Sequence, residues 1–157
     1  MSRITERLKE LGIELPIPLQ PLANYVPYRW SGSLLFISGQ VPVQNGTLPY
    51  LGKVGVDLSI EQGQAAARLC AINILAQVNA ALNGNLDHVN ACLKLGGFVN
   101  CAPDFSDQPT VINGASDFMV DVFGDKGRHA RAAVGSNALP RNVAVEVDAI
   151  FDCQPPK

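Results

Sequence analysis

The sequence is short of charge, of histidine and of cationic runs, and each shortage removes a class of function. Only 17% of its 157 residues are charged, with 12 Lys and Arg against 14 Asp and Glu for a net charge of −2. Lys and Arg cluster nowhere along it, so the electrostatic footprint that draws a protein to nucleic acid is missing. Two histidines, His88 and His129, leave little room for paired-histidine acid–base designs. The four cysteines, Cys70, Cys92, Cys101 and Cys153, form no CxxC pair and no Cys/His ligand spacing, which speaks against a metal site. Nucleophile-elbow, P-loop, dinucleotide-binding and HExxH patterns are absent too. No apolar run approaches bilayer-crossing length. The opening "MSRITERLKELGIELP" is broken by charges and has no apolar h-region, so it does not read as a signal peptide. A cytoplasmic location is expected, with the cysteines as reduced thiols serving as small buried hydrophobes.

What is present describes one domain, 1–157, with a helix and Pro-rich connector over 1–22 and a core over 23–152. A chain of this size buries roughly 68–70% of its unfolded surface and needs no covalent staples. At 47% hydrophobic and so few charges, it is expected to cover apolar surface with partner subunits. Ile4, Leu8 and Leu11 recur at helical spacing before Gly12. Pro16, Pro18 and Pro21 then hold an extended connector. "YVPYRW" and "SLLFISGQVPV" read as strands joined at Ser31-Gly32, and Asn45 to Val56 as loop. A long helix runs from the capping-box pair Ser59 and Gln62 to Gly84, with Ala65, Leu69, Ile72 and Ala76 on its buried face. Next comes a half-buried strand alternating through Ala91, Leu93, Leu95, Gly97, Val99 and Cys101, with a bulge expected at Gly96-Gly97. A second helix carries Pro109 in its first turn and Val111, Ala115, Phe118 and Val122 on its inner face, and Gly124 stops it. "HARAAVGS" and "NVAVEVDAIFD", linked by "NALPR", read as a closing hairpin. The order ββ-α-β-α-ββ gives an α+β fold, a single mixed sheet with two helices packed on one face.

That last hairpin poses the functional question, because Arg131 and Glu146 stand in it among valines and alanines. If it closes around Ala138 to Leu139, Arg131 lies nearly opposite Asp148, and a cross-strand ion pair worth about 0.2–1 kcal/mol explains it. Alternatively the guanidinium is a carboxylate clamp, each charge-assisted hydrogen bond contributing about 1.5–3 kcal/mol. Composition and spacing leave both readings open. His129 has the strand parity of Arg131 and could border the same pocket, whereas His88, in "NLDHVN", reads as a surface turn residue.

"FISGQVPV", the Gln-containing first turn of the long helix, "INGASDFMVDVFG", "ARAAVG", "LP" and "VEVDAI" stand in an order and spacing that resembles the YjgF/Rid family, also labelled UK-type or "endoribonuclease L-PSP" proteins. The resemblance covers roughly Tyr25 to Phe151. It implies a chorismate-mutase-like fold, a homotrimeric barrel with clefts between subunits, and an enamine/imine deaminase acting on 2-aminoacrylate-like products to give keto acids. It places Arg131 on the family's substrate-carboxylate arginine and Glu146 on the glutamate that positions the hydrolytic water. Tyr25 falls on the cleft tyrosine, Gly39 on the glycine whose backbone lines the pocket, and Asn113 on the asparagine that opens the second helix. In "ANYVPY" the position of Pro27 makes Tyr28 a rival for Tyr25, and Ala133 stands where many relatives have a cysteine. The N-terminal helix and the loop "QNGTLPYLGKVGVD" mark a divergent branch.

Imines of keto acids hydrolyse in water unaided, so catalysis need only bind, orient and supply water and a proton. No metal or organic cofactor is required, and the expected partner is a small imino or keto acid. Two other classes remain open. One is a trimeric binder of small carboxylates, or an interaction protein, without turnover. The other is the ribonuclease of the older label, which the acidic pI of about 5.6 disfavours.

Overall fold

The computed structural model describes residues 2–157, so the first residue of the 1–157 domain lies outside the described residues. In them α1 (Arg3–Glu10), β1 (Tyr28–Ser31), β2 (Leu34–Gln40), α2 (Ile60–Ala81), β3 (Val89–Asn100), α3 (Gln108–Phe123), β4 (Ala130–Ser136) and β5 (Val145–Cys153) follow one another. The strands form one sheet in the order β1-β2-β5-β3-β4, in which β4 runs parallel to β3 and the other pairs are antiparallel. With α2 and α3 both packed on one face, this is the expected α+β architecture.

The closing hairpin does not form. After β3 the chain passes through α3 and returns parallel beside it, the crossover that parallel neighbours require. The segment after β4 then carries the chain back across the sheet, and β5 inserts between β2 and β3. Arg131 therefore sits in register with Leu95 rather than opposite Asp148, and the cross-strand ion pair is ruled out.

Two other sequence expectations shift in detail. In β3 the register slips between Cys92 and Lys94, upstream of the glycine pair where a bulge was expected. Cys92 is thereby turned inward and Leu93 outward, breaking the simple alternation. In α2 the deepest residues are Ala67, Cys70, Ala71, Ile74 and Val78, while Ala65, Leu69 and Ile72 are half-buried. Leu69 and Ile72 line a groove along the 12–17 connector instead, so α2 has apolar neighbours on more than one side. Its capping box is present as expected, Ser59 accepting from the Gln62 amide and the Gln62 side chain from the Ser59 amide.

α1 is capped by Ser2 and buries Leu8. Its free Arg3 and Ile4 amides donate to the Asp87 carboxylate at 3.0 Å each, a favourable place for an anion. Burial pushes the Asp87 pKa up, but the two amides and the Arg3 charge outweigh that and leave it lowered. Arg7 Nε donates to the carbonyl of Asp121 on α3 at 2.8 Å. The N-terminal helix thus docks against α3, and the connector leaving it crosses α2, where Gln77 Nε2 donates to the Leu19 carbonyl at 2.7 Å.

The two large helices touch closely at Gly114, where any Cβ would meet the backbone of Gln64. Gly114→Ala is expected to force α2 and α3 apart and to cost about 1–3 kcal/mol, read as a lowered midpoint in denaturant unfolding.

Candidate functional site

Strand alternation divides the candidate residues between the two faces of the sheet. On β5, Val145, Val147, Ala149 and Phe151 face the helices, whereas Glu146, Asp148 and Ile150 face the open side. On β4, Arg131 shares the register of the fully buried Leu95 and turns toward α3. Glu146 and Arg131 of one chain therefore emerge on opposite sides of its sheet, in two separate groups of residues.

The open-face group forms a cleft of about 410 Å³ lined by Tyr25, Ser38, Gly39, Pro140, Arg141 and Glu146, with residues 19–23 of the connector along one side. Gly39 has no side chain where the Glu146 carboxylate lies, and a Cβ there would collide with Oε1. Burial, and then the neighbouring Asp148 carboxylate, raise the Glu146 pKa above the ordinary glutamate value. Burial raises Asp148 as well, against the opposing effects of the Gly96 amide and Lys94. Tyr25 reaches the cleft because Ser38 binds the segment after it. The Ser38 amide donates to the Pro27 carbonyl at 3.0 Å and its hydroxyl to the Val26 carbonyl at 2.7 Å. Tyr28 begins β1 opposite Ile37 and packs on the core, so the tyrosine lining the cleft is Tyr25.

The edge group is built from α3 and β4. Arg131 Nη1 donates to Asn113 Oδ1 at 2.8 Å and to Ser116 Oγ at 3.2 Å. Among the described residues it has no ion pair, and its Nε–H and Nη2 hydrogens have no acceptor. His129 stands behind this pair. Its Nδ1–H donates to the Gly127 carbonyl at 2.6 Å, which leaves Nε2 to accept from the Ser116 hydroxyl at 2.9 Å. Ser116 thus links imidazole and guanidinium, and the parity argument that put His129 beside Arg131 holds. His88 lies elsewhere, in a short 3-10 turn with its Nε2 at 3.1 Å from Asn85 Nδ2.

Among the described residues no group of three or more His, Cys, Asp or Glu side chains converges as metal ligands. All four cysteines are free and buried. Burial pushes the Cys92 and Cys153 thiols up to about 12 and Cys70 up as well, which keeps them protonated and unreactive. Among the described residues no helix is long and apolar enough to cross a membrane.

The chain can now be set beside known proteins. Residues 5–151 match the family described as "YjgF/chorismate mutase-like, putative endoribonuclease", and the chain belongs to that family. It is 47% identical over 152 residues to Protein TCP17 of Trypanosoma cruzi, covering 96% of this chain and 94% of that one. The solved structure of Atu1372, a protein of unknown function from Agrobacterium tumefaciens, is 52% identical and superimposes with a TM-score of 0.91 over 96% of this chain and 92% of that one. TdcF of E. coli, solved with bound serine, is 26% identical with a TM-score of 0.63, covering 88% and 94% of the two chains.

Sequence reading alone missed Ser38, Ser116 and Arg141. Ser116 carried a signal, since it is one helical turn from Asn113 and therefore on the same face. Ser38 and Arg141 carried none, because their roles depend on where connector and turn come to rest.

Two predictions concern Glu146. Gly39→Ala meets only the end of a flexible side chain, so the variant is expected to fold with nearly unchanged melting temperature. Displacing the carboxylate should nevertheless lower whatever turnover the cleft supports by about 10²-fold, measured as initial rate against wild type. A raised folded-state pKa also means that Glu146 favours the fold while protonated, and that this contribution is lost as pH rises through the raised value. Unfolding wild type and Glu146→Gln across pH should show the wild type losing ground to the variant as pH rises from acid to neutral.

Proposed function

We propose that this protein hydrolyses enamine and imine intermediates of 2-keto acids, as a homotrimer in the cytoplasm, without metal or organic cofactor. One observation carries the reading: the groups expected to act together are divided between opposite faces of one sheet. A neighbouring copy that docks its β4 edge into the open-face cleft would bring Arg131 and Asn113 to Tyr25, Gly39 and Glu146. A ring of three such contacts closes with each cleft complete. The bound serine named for TdcF is consistent with a small amino-acid-like ligand in this family, and four buried free thiols suit a reducing compartment.

In such a cleft the Nε and Nη2 side of Arg131 receives the substrate carboxylate as a planar pair. Backbone beside Gly39 faces the substrate nitrogen. The enamine first takes a proton at carbon and gives one up from nitrogen, a tautomerisation to the imine that needs no net proton. Glu146 holds a water, takes its proton as oxygen adds to the imine carbon, and returns that proton to nitrogen. As the C–N bond of the tetrahedral adduct breaks, Glu146 relays the hydroxyl proton to nitrogen, so that ammonia leaves and the keto acid remains. A carboxylate whose pKa is raised toward neutrality suits both proton transfers.

The ribonuclease named in the family description gains no support here. His129 Nε2 is engaged by Ser116, and the cleft around Glu146 carries one arginine rather than a cationic track.

The test uses two inactive variants. Arg131→Ala and Glu146→Gln should each abolish acceleration of imine hydrolysis while remaining folded trimers by sedimentation. Mixed trimers made from equal amounts of the two should recover about a quarter of wild-type activity, because a quarter of the clefts then receive both native halves. Mixed trimers that stay inactive would overturn the shared cleft. Carboxylate binding that survives Glu146→Gln, in a wild type that accelerates no imine, would make the protein a binder instead.

A further inference from the structure

The connection between β4 and β5 holds the most constrained backbone near the cleft. Arg141 and Asn142 both have positive φ, 57° and 60°, a conformation unfavourable for residues with a Cβ. A polar network beneath the turn holds them there. The Asn142 carbonyl accepts from the Gly52 amide at 2.8 Å, and its Oδ1 accepts from Asn100 Nδ2 at 3.3 Å. Asn100 is 1% exposed; it also donates to the Val143 carbonyl at 3.1 Å and accepts from Lys53 Nζ at 2.9 Å. The turn is thus fixed from inside, and the side chain it sends outward is Arg141. Arg141 lines the same cleft as Glu146 and Gly39. Among the described residues it forms no ion pair, Glu146 included, and no side-chain hydrogen bond.

We propose that Arg141 is a second anion anchor and that the cleft takes dicarboxylic imino and keto acids. This rests on the reading that the cleft is completed by Arg131 of a neighbouring copy. With that arginine in place, the cleft lining holds two arginines and one carboxylate, Glu146, with Asp148 beside it on the same face but outside the lining. A monocarboxylate leaves Arg141 unmatched, whereas a dicarboxylate gives each planar fork an anion. The carboxylate beside the reacting carbon goes to Arg131. The ligand's side chain runs along the connector wall from Leu19 to Ala23 and ends on Arg141. Because the backbone under it is pinned, binding has to order only the Arg141 side chain and not the turn.

The test is calorimetric binding of 2-oxoglutarate and 2-oxobutyrate to the whole protein and to two variants. Arg141→Gly suits a positive φ and so preserves the turn; Arg141→Lys keeps the charge but not the fork. Wild type should bind the dicarboxylate at least tenfold more tightly. That preference should vanish in Arg141→Gly and persist in part in Arg141→Lys. If wild type shows no preference, or if the preference survives Arg141→Gly, the second anchor is wrong and the deaminase reading stands. If wild type binds neither acid, the cleft reading falls and the second anchor falls with it.

Discussion

β4 reaches its place beside β3 through α3, and a parallel neighbour in that register must present Arg131 to the helix layer, because its partner Leu95 already points there. β5 runs antiparallel between β2 and β3, filling the core with its odd-numbered residues and leaving Glu146 on the open side. The division of charges between the faces is therefore a matter of backbone pairing, and no rotamer change in one chain can reunite them. An edge strand is also where an unpaired backbone and an exposed guanidinium can meet another molecule without disturbing the core. The placement that separates Arg131 from Glu146 within one chain also leaves Arg131 on an edge that the proposed neighbour can reach.

Around this frame, short polar contacts hold the irregular segments that shape the cleft. The Asn100 side chain bonds to Lys53, Asn142 and Val143; each such bond is worth about 1 kcal/mol net, but leaving that buried amide unpaired would cost more. Asn73 does similar work on the other side, donating to the Val41 and Val43 carbonyls at 2.9 and 3.0 Å as the chain leaves β2. Gln77 ties down Leu19, while the far end of the connector is fixed by α1 against Asp87 and Asp121. The N-terminal helix thus stays outside the cleft yet anchors the segment that walls it.

Periodicity exposed the regular elements because burial has a period: Val111, Ala115, Phe118 and Val122 are all on the inner face of α3, as their spacing requires. It misplaced the buried face of α2 because that helix is covered on several sides, where amphipathic contrast fades. The false hairpin arose because two adjacent apolar strands carry no mark that distinguishes pairing with each other from pairing elsewhere. Tyr25 and Tyr28 were separable only once Tyr28 was seen to pair with Ile37 and so point inward. Family resemblance named Arg131, Asn113 and Glu146, but only strand register reveals that they cannot meet within one chain.

The open face carries exposed apolar side chains beside Glu146. Phe36, Phe98 and Val134 remain 41%, 37% and 46% exposed there, and Phe98 is in register with Glu146. In the proposed trimer, covering these side chains would remove water from around Glu146 as well. Desolvation already raises the pKa of that carboxyl most, ahead of Asp148, and further burial acts in the same direction. A free subunit would then hold a weaker proton acceptor than an assembled one, and an arriving Arg131 would oppose the shift only in the measure that it is not neutralised by substrate carboxylate. In the proposed cleft, a substrate carboxylate that neutralises Arg131 would therefore leave Glu146 the more basic, favouring proton transfer only where substrate is bound.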